Sequence, residues 1–114
     1  MTQFAVTNEV AESRFEPGKQ GDQYPSVEFS ISGCAFIYQF KIWDTSLKEK
    51  FVLVKEDSGL LRYLKVGDIL NLKYYTTDLS SPLKYLRTEI SDITKGDRGR
   101  FKGLYLVLLS ILEN

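Results

Sequence analysis

Short runs of alternating apolar and polar residues, broken by turn-forming residues, recur along this chain and leave it few folds to choose from. Val27, Phe29 and Ile31 alternate with Glu28, Ser30 and Ser32, and Gly33 punctuates the run as a tight turn or bulge. Phe36, Tyr38, Phe40 and Ile42 repeat the pattern against Ile37, Gln39 and Lys41. Leu70, Leu72 and Tyr74 do so against Asn71, Lys73 and Tyr75, and Leu86, Thr88 and Ile90 against Arg87, Glu89 and Ser91. A side-chain period of two is that of a strand with one covered face. Two further runs, Phe51–Val54 and Phe101–Leu112, are apolar on both faces. Helical spacing occurs once: Ser58 is placed to cap a short helix that carries Leu60, Leu61 and Leu64, and Val66-Gly67-Asp68 stops it. Thr76–Pro82 reads as a loop and Lys95–Arg100 as a Gly-rich, charged turn.

Strands that follow one another through short connections pair antiparallel, and closing the sheet removes its exposed edges. The expected fold class is therefore mainly β: a small six-stranded antiparallel β-barrel with one short helix. A chain of 114 residues suits one domain, expected over residues 25–114 behind a polar N-terminal arm at 1–24.

The last strand sets a physical problem. Leu104, Leu106 and Leu108 fall on one face, and Tyr105, Val107, Leu109 and Ile111 on the other. A barrel wall has one inner and one outer face, so the outer apolar face needs cover, from this chain or from a second copy. Leu109 and Ile111, or their neighbours, are the residues expected at that contact.

Composition narrows the function classes. Fifteen basic residues balance fifteen acidic ones, so no overall field draws in nucleic acid or an anionic membrane. Histidine is absent, which removes the commonest general base and metal ligand. The single cysteine, Cys34, can form neither an internal disulfide nor a Cys-rich zinc site and reads as a small core thiol. No nucleophile–base spacing or metal-ligand cluster stands out, so a non-enzymatic protein without a cofactor or metal is expected. The first residues lack the basic start and apolar run of a signal peptide, and no apolar stretch is long enough to span a bilayer; the expected location is the cytoplasm.

Asp44-Thr45-Ser46-Leu47-Lys48-Glu49 joins the second and third strands. It resembles the Asp/Asn-x-Ser-x-x-Gly motif of PilZ domains, small bacterial β-barrels that typically bind cyclic di-GMP. The Leu-Lys-Val-Gly-Asp segment at Leu64–Asp68 and the closing strand ending at Leu108–Leu112 follow the order of such a barrel, and the resemblance runs from about Tyr24 to Glu113. It implies a signalling or protein-interaction module in which Asp44 and Ser46 face the nucleotide. Two positions depart from the pattern. Glu49 stands at the glycine, and Gly18–Ser26, where PilZ domains usually carry Arg-x-x-x-Arg, holds Lys19 but no arginine, Arg14 being the nearest upstream. Guanidinium groups pair bidentately with phosphate, and lysine is a point charge. The implied ligand is thus cyclic di-GMP with binding weakened or lost. Asp and Ser at strand ends also bond to nearby backbone and stabilise turns, which is the other reading of Asp44 and Ser46.

Three further residues are candidates. Arg98 and Arg100 in the Gly-rich turn are the replacement cations for an anion, or else decorate a solvated hairpin tip. Trp43, beside the motif, either stacks on a ligand or partner or packs at the barrel rim. The alternative function is that of a small OB-like barrel binding single-stranded nucleic acid through Tyr38, Tyr74, Tyr75, Tyr85 and Phe101 with Lys73, Lys84, Arg87 and Arg100. The neutral balance of charge favours a protein partner or a homodimer over nucleic acid or membrane.

Overall fold

The computed structural model describes residues 23–30 and 36–112. The expected arm up to residue 22, with Arg14 and Lys19, together with Ile31, the Gly33 turn and Cys34, lies outside the described residues.

The described chain forms β1 (Ser26–Ser30), β2 (Ile37–Lys41), β3 (Trp43–Asp44), β4 (Lys50–Lys55), β5 (Ile69–Tyr75), β6 (Leu83–Lys95) and β7 (Leu104–Ile111). Short 3-10 turns lie at Gly59–Tyr63 and Gly99–Phe101. The strands make one sheet in the order β2-β1-β5-β6-β7-β4-β3, with every pairing antiparallel. Its two outermost strands are neighbours in sequence. β2 pairs with β1 and β3 with β4, and only Ile42 separates them. One bent strand therefore joins both ends of the sheet and rolls it into a nearly closed barrel of six staves. Ile42 is the pivot: its side chain is fully buried and its N–H donates to the Pro25 carbonyl at 2.9 Å. The expected six-stranded antiparallel barrel is the fold.

Inside, period-two alternation does what the sequence predicts. Val27 and Phe29 of β1, Val52 and Val54 of β4, Leu72 and Tyr74 of β5, and Val107 and Leu109 of β7 share one buried cluster with Ile42. Leu60 and Leu64, from the Gly59–Tyr63 turn and its end, join the same cluster. The short helix expected after Ser58 is a 3-10 turn, with the Ser58 hydroxyl accepting from the Leu60 N–H at 3.2 Å. Five residues that must bring Leu60 back to the core favour the tighter winding. Tyr24, the last residue of the expected arm, is also buried and packs on Tyr74 with ring centroids 5.2 Å apart.

The two apolar faces of β7 go to two cores. Val107 and Leu109 point into the barrel, and Ile111 packs against the same cluster. Leu106 and Leu108 point outward into a second cluster with Phe51 and Phe101, against which Trp43 and Leu53 pack. Of the residues expected to contact something other than the barrel interior, Leu109 is interior and Ile111 is half-buried against the inner cluster, and it is their neighbour Leu108, with Leu106, that makes the outside contact. Periodicity says which side chains share a face, whereas which face turns inward depends on long-range pairing. The outer face of β7 is covered by its own chain. The β6–β7 connection folds Phe101 down onto it, and Phe101 is only 1% exposed.

β6 is long enough to serve two neighbours. Leu83–Glu89 pair with β5 and Thr88–Lys95 with β7. A register shift between Ile90 and Asp92 marks Ser91 as an inserted residue, and such a bulge bends a strand around a barrel. The bend is anchored where Ile90 N–H donates to the Asp68 carbonyl and Gly67 N–H to the Ile90 carbonyl, each at 2.8 Å.

Candidate functional site

The β3–β4 connection is built around Thr45, which sequence reasoning passed over in favour of its neighbours. Thr45 is 1% exposed. Its hydroxyl oxygen accepts from the N–H groups of Leu47 at 3.1 Å and Glu49 at 3.0 Å, and its own O–H reaches Glu49 Oε1 at 3.4 Å. Its N–H donates to the Glu49 carbonyl at 2.7 Å, and Lys48 N–H donates to the Thr45 carbonyl at 2.9 Å. A threonine followed two residues later by a free N–H is the signature of a side-chain-closed turn, and this was the signal available in the sequence.

Asp44 and Ser46 are therefore not the turn's fasteners. Asp44 lies in β3 opposite Lys50, and its Oδ1 is 3.4 Å from Lys50 Nζ, with the two side chains 14% and 22% exposed. The Lys50 ammonium also sits 5.9 Å from the centre of the Tyr24 ring. Ser46 is exposed at the tip. Glu49 does not occupy a position that demands glycine: the positive φ of this turn, 66°, falls one residue earlier at Lys48. Trp43 is half-buried against the outer cluster, with Lys41 Nζ 5.9 Å from its ring centre, so it packs at the rim.

Beside the turn opens a cleft of about 280 Å³, with Lys48 and Lys50 on its β4 side and Ser91 and Ser110 across it. It sits where the β6 bulge loosens the β6–β7 ladder. Two ammonium groups and two hydroxyls suit a small anion, but Glu49 also lines the cleft and Lys50 already pairs with Asp44. Such a set of groups offers hydrogen bonds and charge to a small polar ligand.

Arg98 and Arg100 do not join this site. They lie in the β6–β7 connection, at the end of β4 where Lys55 faces Leu104, and the Thr45 turn lies at the other end, where Lys50 faces Leu109. The intervening length of β4 is about 16 Å. The Arg100 guanidinium instead rests 5.7 Å from the centre of the Phe101 ring.

The aromatic residues considered for stacking are divided by the barrel wall. Tyr74 and Phe101 are buried, and Tyr38 packs on the inner core. The Tyr74 hydroxyl and Thr88 Oγ1 are 2.8 Å apart; because the Thr88 O–H donates to the Leu86 carbonyl at 3.1 Å, Tyr74 is the donor in this pair. Burial pushes the Tyr74 phenol up to about 12. Tyr75 and Tyr85 face outward. Lys73 Nζ lies between them, 6.0 and 5.9 Å from the two ring centres, and 3.8 Å from Glu28 Oε2. The Tyr75 hydroxyl donates to Glu28 Oε1 at 2.7 Å, and that bond holds the phenol above its ordinary range.

Among the described residues, no group of three or more His, Cys, Asp or Glu is arranged to hold a metal ion, and no helix is long and apolar enough to cross a membrane. No protein-family model, curated protein or solved structure matches the chain.

Proposed function

We propose that this chain is a non-enzymatic, PilZ-like signalling or protein-interaction module in which cyclic di-GMP binding is weakened or lost. The observation that carries the reading is the state of the rim. The motif's acidic residue, Asp44, is bound to Lys50, its hydroxyl, Ser46, sits free at the tip, and the replacement arginines lie at the opposite end of β4. Each charge-assisted hydrogen bond that a guanidinium pair supplies contributes about 1.5–3 kcal/mol, so a rim that lacks two of them, as it does among the described residues, binds a cyclic dinucleotide about a hundredfold or more weaker. The barrel interior is filled with side chains and offers the nucleotide no alternative berth.

Isothermal titration with cyclic di-GMP tests this. The expected result is no saturable heat at micromolar ligand. Binding at micromolar affinity or tighter refutes the reading.

The alternative, an OB-like binder of single-stranded nucleic acid, has the outward Tyr75–Lys73–Tyr85 group in its favour. Against it, the Glu28 carboxylate sits within that group, where it repels a phosphate backbone. Oligothymidylate binding that falls steeply with added salt distinguishes the two.

A further inference from the structure

Beside the Thr45 turn, β7 runs on after its ladder with β4 has ended. That ladder stops at the Lys50–Leu109 pair, while Ser110 and Ile111 continue beside Glu89 and Thr88 of β6. Backbone groups of successive strand residues point to opposite edges. Leu112 N–H donates to the Arg87 carbonyl of β6 at 2.9 Å, so the Ile111 N–H and C=O face the other way, toward the side that β4 has left. Lys48, which would continue the ladder there, belongs to the turn, and its N–H donates to the Thr45 carbonyl. Among the described residues, no backbone group meets those of Ile111.

The cleft lined by Ile111 gathers further polar groups. Ser91 and Ser110 line it, and neither hydroxyl has a hydrogen-bond partner among the described residues. Lys48 and Glu49 are consecutive and both line it, although neighbours in an extended chain point to opposite faces. The φ of 66° at Lys48 breaks the extended run and brings both side chains to the cleft. That angle is costly for a lysine, and Lys48 is the one non-glycine residue that adopts it among the described residues.

The charges of the cleft cancel. Lys50 is held by Asp44 at 3.4 Å, and Lys48 makes no ion pair among the described residues and is offset by Glu49. Glu49 Oε1 lies 3.4 Å from the Thr45 hydroxyl, and a carboxylate accepts more than one donor. A guest of one sign leaves Lys48 or Glu49 facing a like charge, whereas a guest carrying both signs meets both residues. At about 280 Å³ the cleft is smaller than the sites of about 300–1,000 Å³ that take drug-sized ligands.

We infer that this cleft binds a free α-amino acid. The α-carboxylate meets Lys48 and the hydroxyls of Ser91 and Ser110, the α-ammonium donates to Glu49 and to the Ile111 carbonyl, and the side chain lies against Leu108. The inference goes beyond the reading of the chain as an interaction module and does not rest on it; titration with cyclic di-GMP decides that reading and not this one.

The test titrates each of the twenty amino acids into the isotope-labelled full chain and follows the amide resonances of Lys48, Ser91 and Ile111. At least one amino acid shifts them saturably, with a dissociation constant below about 1 mM. Its N-acetyl and carboxamide derivatives bind about tenfold or more weaker, because each lacks one of the two charges. Lys48→Gly also weakens binding about tenfold while the urea midpoint rises, so lost affinity is told apart from lost fold. Lys65→Met, an exposed change elsewhere, leaves the affinity unchanged. The site is overturned when no amino acid moves those resonances up to about 10 mM, or when Lys48→Gly binds as tightly as the natural chain. Inorganic phosphate or acetate shifting them as strongly makes this an anion site, and equal binding of the N-acetyl form makes it a site for peptide ends; each result overturns the inference.

Discussion

Replacing Thr45 by valine tests what holds the rim turn together. The side chain keeps its shape and loses its oxygen. That oxygen accepts from two backbone N–H groups, at 3.1 and 3.0 Å, in a residue that is 1% exposed. Each lost bond costs about 1 kcal/mol net, and a donor left unpaired in a part-buried setting costs about 1–3 kcal/mol. Leu47 is exposed, so water satisfies its N–H after the change, whereas Glu49 is half-buried and its N–H has less access. The sum is about 2–3 kcal/mol of lost stability. With a urea dependence of about 1–3 kcal/mol per molar for a domain of this size, the unfolding midpoint falls by about 1 M or more while the slope stays constant. Urea unfolding followed by tryptophan fluorescence reads this directly, because Trp43 lies two residues from the change. Ser46→Ala, measured in parallel, shifts stability by less than about 0.5 kcal/mol, as surface changes do. A Thr45→Val loss smaller than the Ser46→Ala loss refutes the assignment of Thr45 as the hub.

Three other perturbations follow from the geometry. Lys48→Gly relieves a non-glycine residue at φ 66° and raises stability by about 0.5–1 kcal/mol in the same urea assay. Gly96→Ala drives a methyl group into the Phe101 carbonyl and to 2.6 Å from Phe101 Cβ, lifting Phe101 from the outer cluster; it costs about 2–4 kcal/mol, seen as a lower thermal midpoint. Tyr74 makes the fold alkali-sensitive: its phenol ionises at about 12 when folded against 10.0 in the reference state, so its contribution of about 3 kcal/mol is fully present below pH 10 and is lost as pH rises through 12. Stability measured against pH shows this loss, and Tyr74→Phe flattens it.

How far the sequence could be read depends on the range of the interaction behind each feature. Val27/Phe29, Leu72/Tyr74 and Leu86/Thr88/Ile90 declared their strands because a period of two is a local property. Ser58 announced a capped turn for the same reason. The bend at Ile42, by contrast, is a matter of which partners a single strand finds on its two halves, and nothing in Phe40–Asp44 encodes that locally. The bulge at Ser91 does leave a local mark, since Leu86, Thr88 and Ile90 are followed by Asp92 and the apolar phase resumes one residue late at Ile93. For β7 the sequence offers two apolar faces and no means of ranking them, so the contact outside the barrel interior expected at Leu109 and Ile111 or their neighbours is met by Leu108, with Leu106, while Leu109 turns inward. At the rim, attention to Asp44 and Ser46 followed the resemblance, and Thr45 between them was overlooked although its hydroxyl is the one within reach of two donors. The separation of Arg98 and Arg100 from Asp44 follows from antiparallel register, which appears only once β4 is paired with β7.

The bent strand through Ile42 has a consequence for how this molecule meets others. The backbone stitches the seam only at the bend: among the described residues β2 remains the sheet's outermost strand, and beyond Phe51 β4 ladders with β7 alone. The slit that this leaves beside Val52–Lys55 is where the barrel can open or take up an added strand, so the bend fixes the position of the molecule's one weak wall among the described residues.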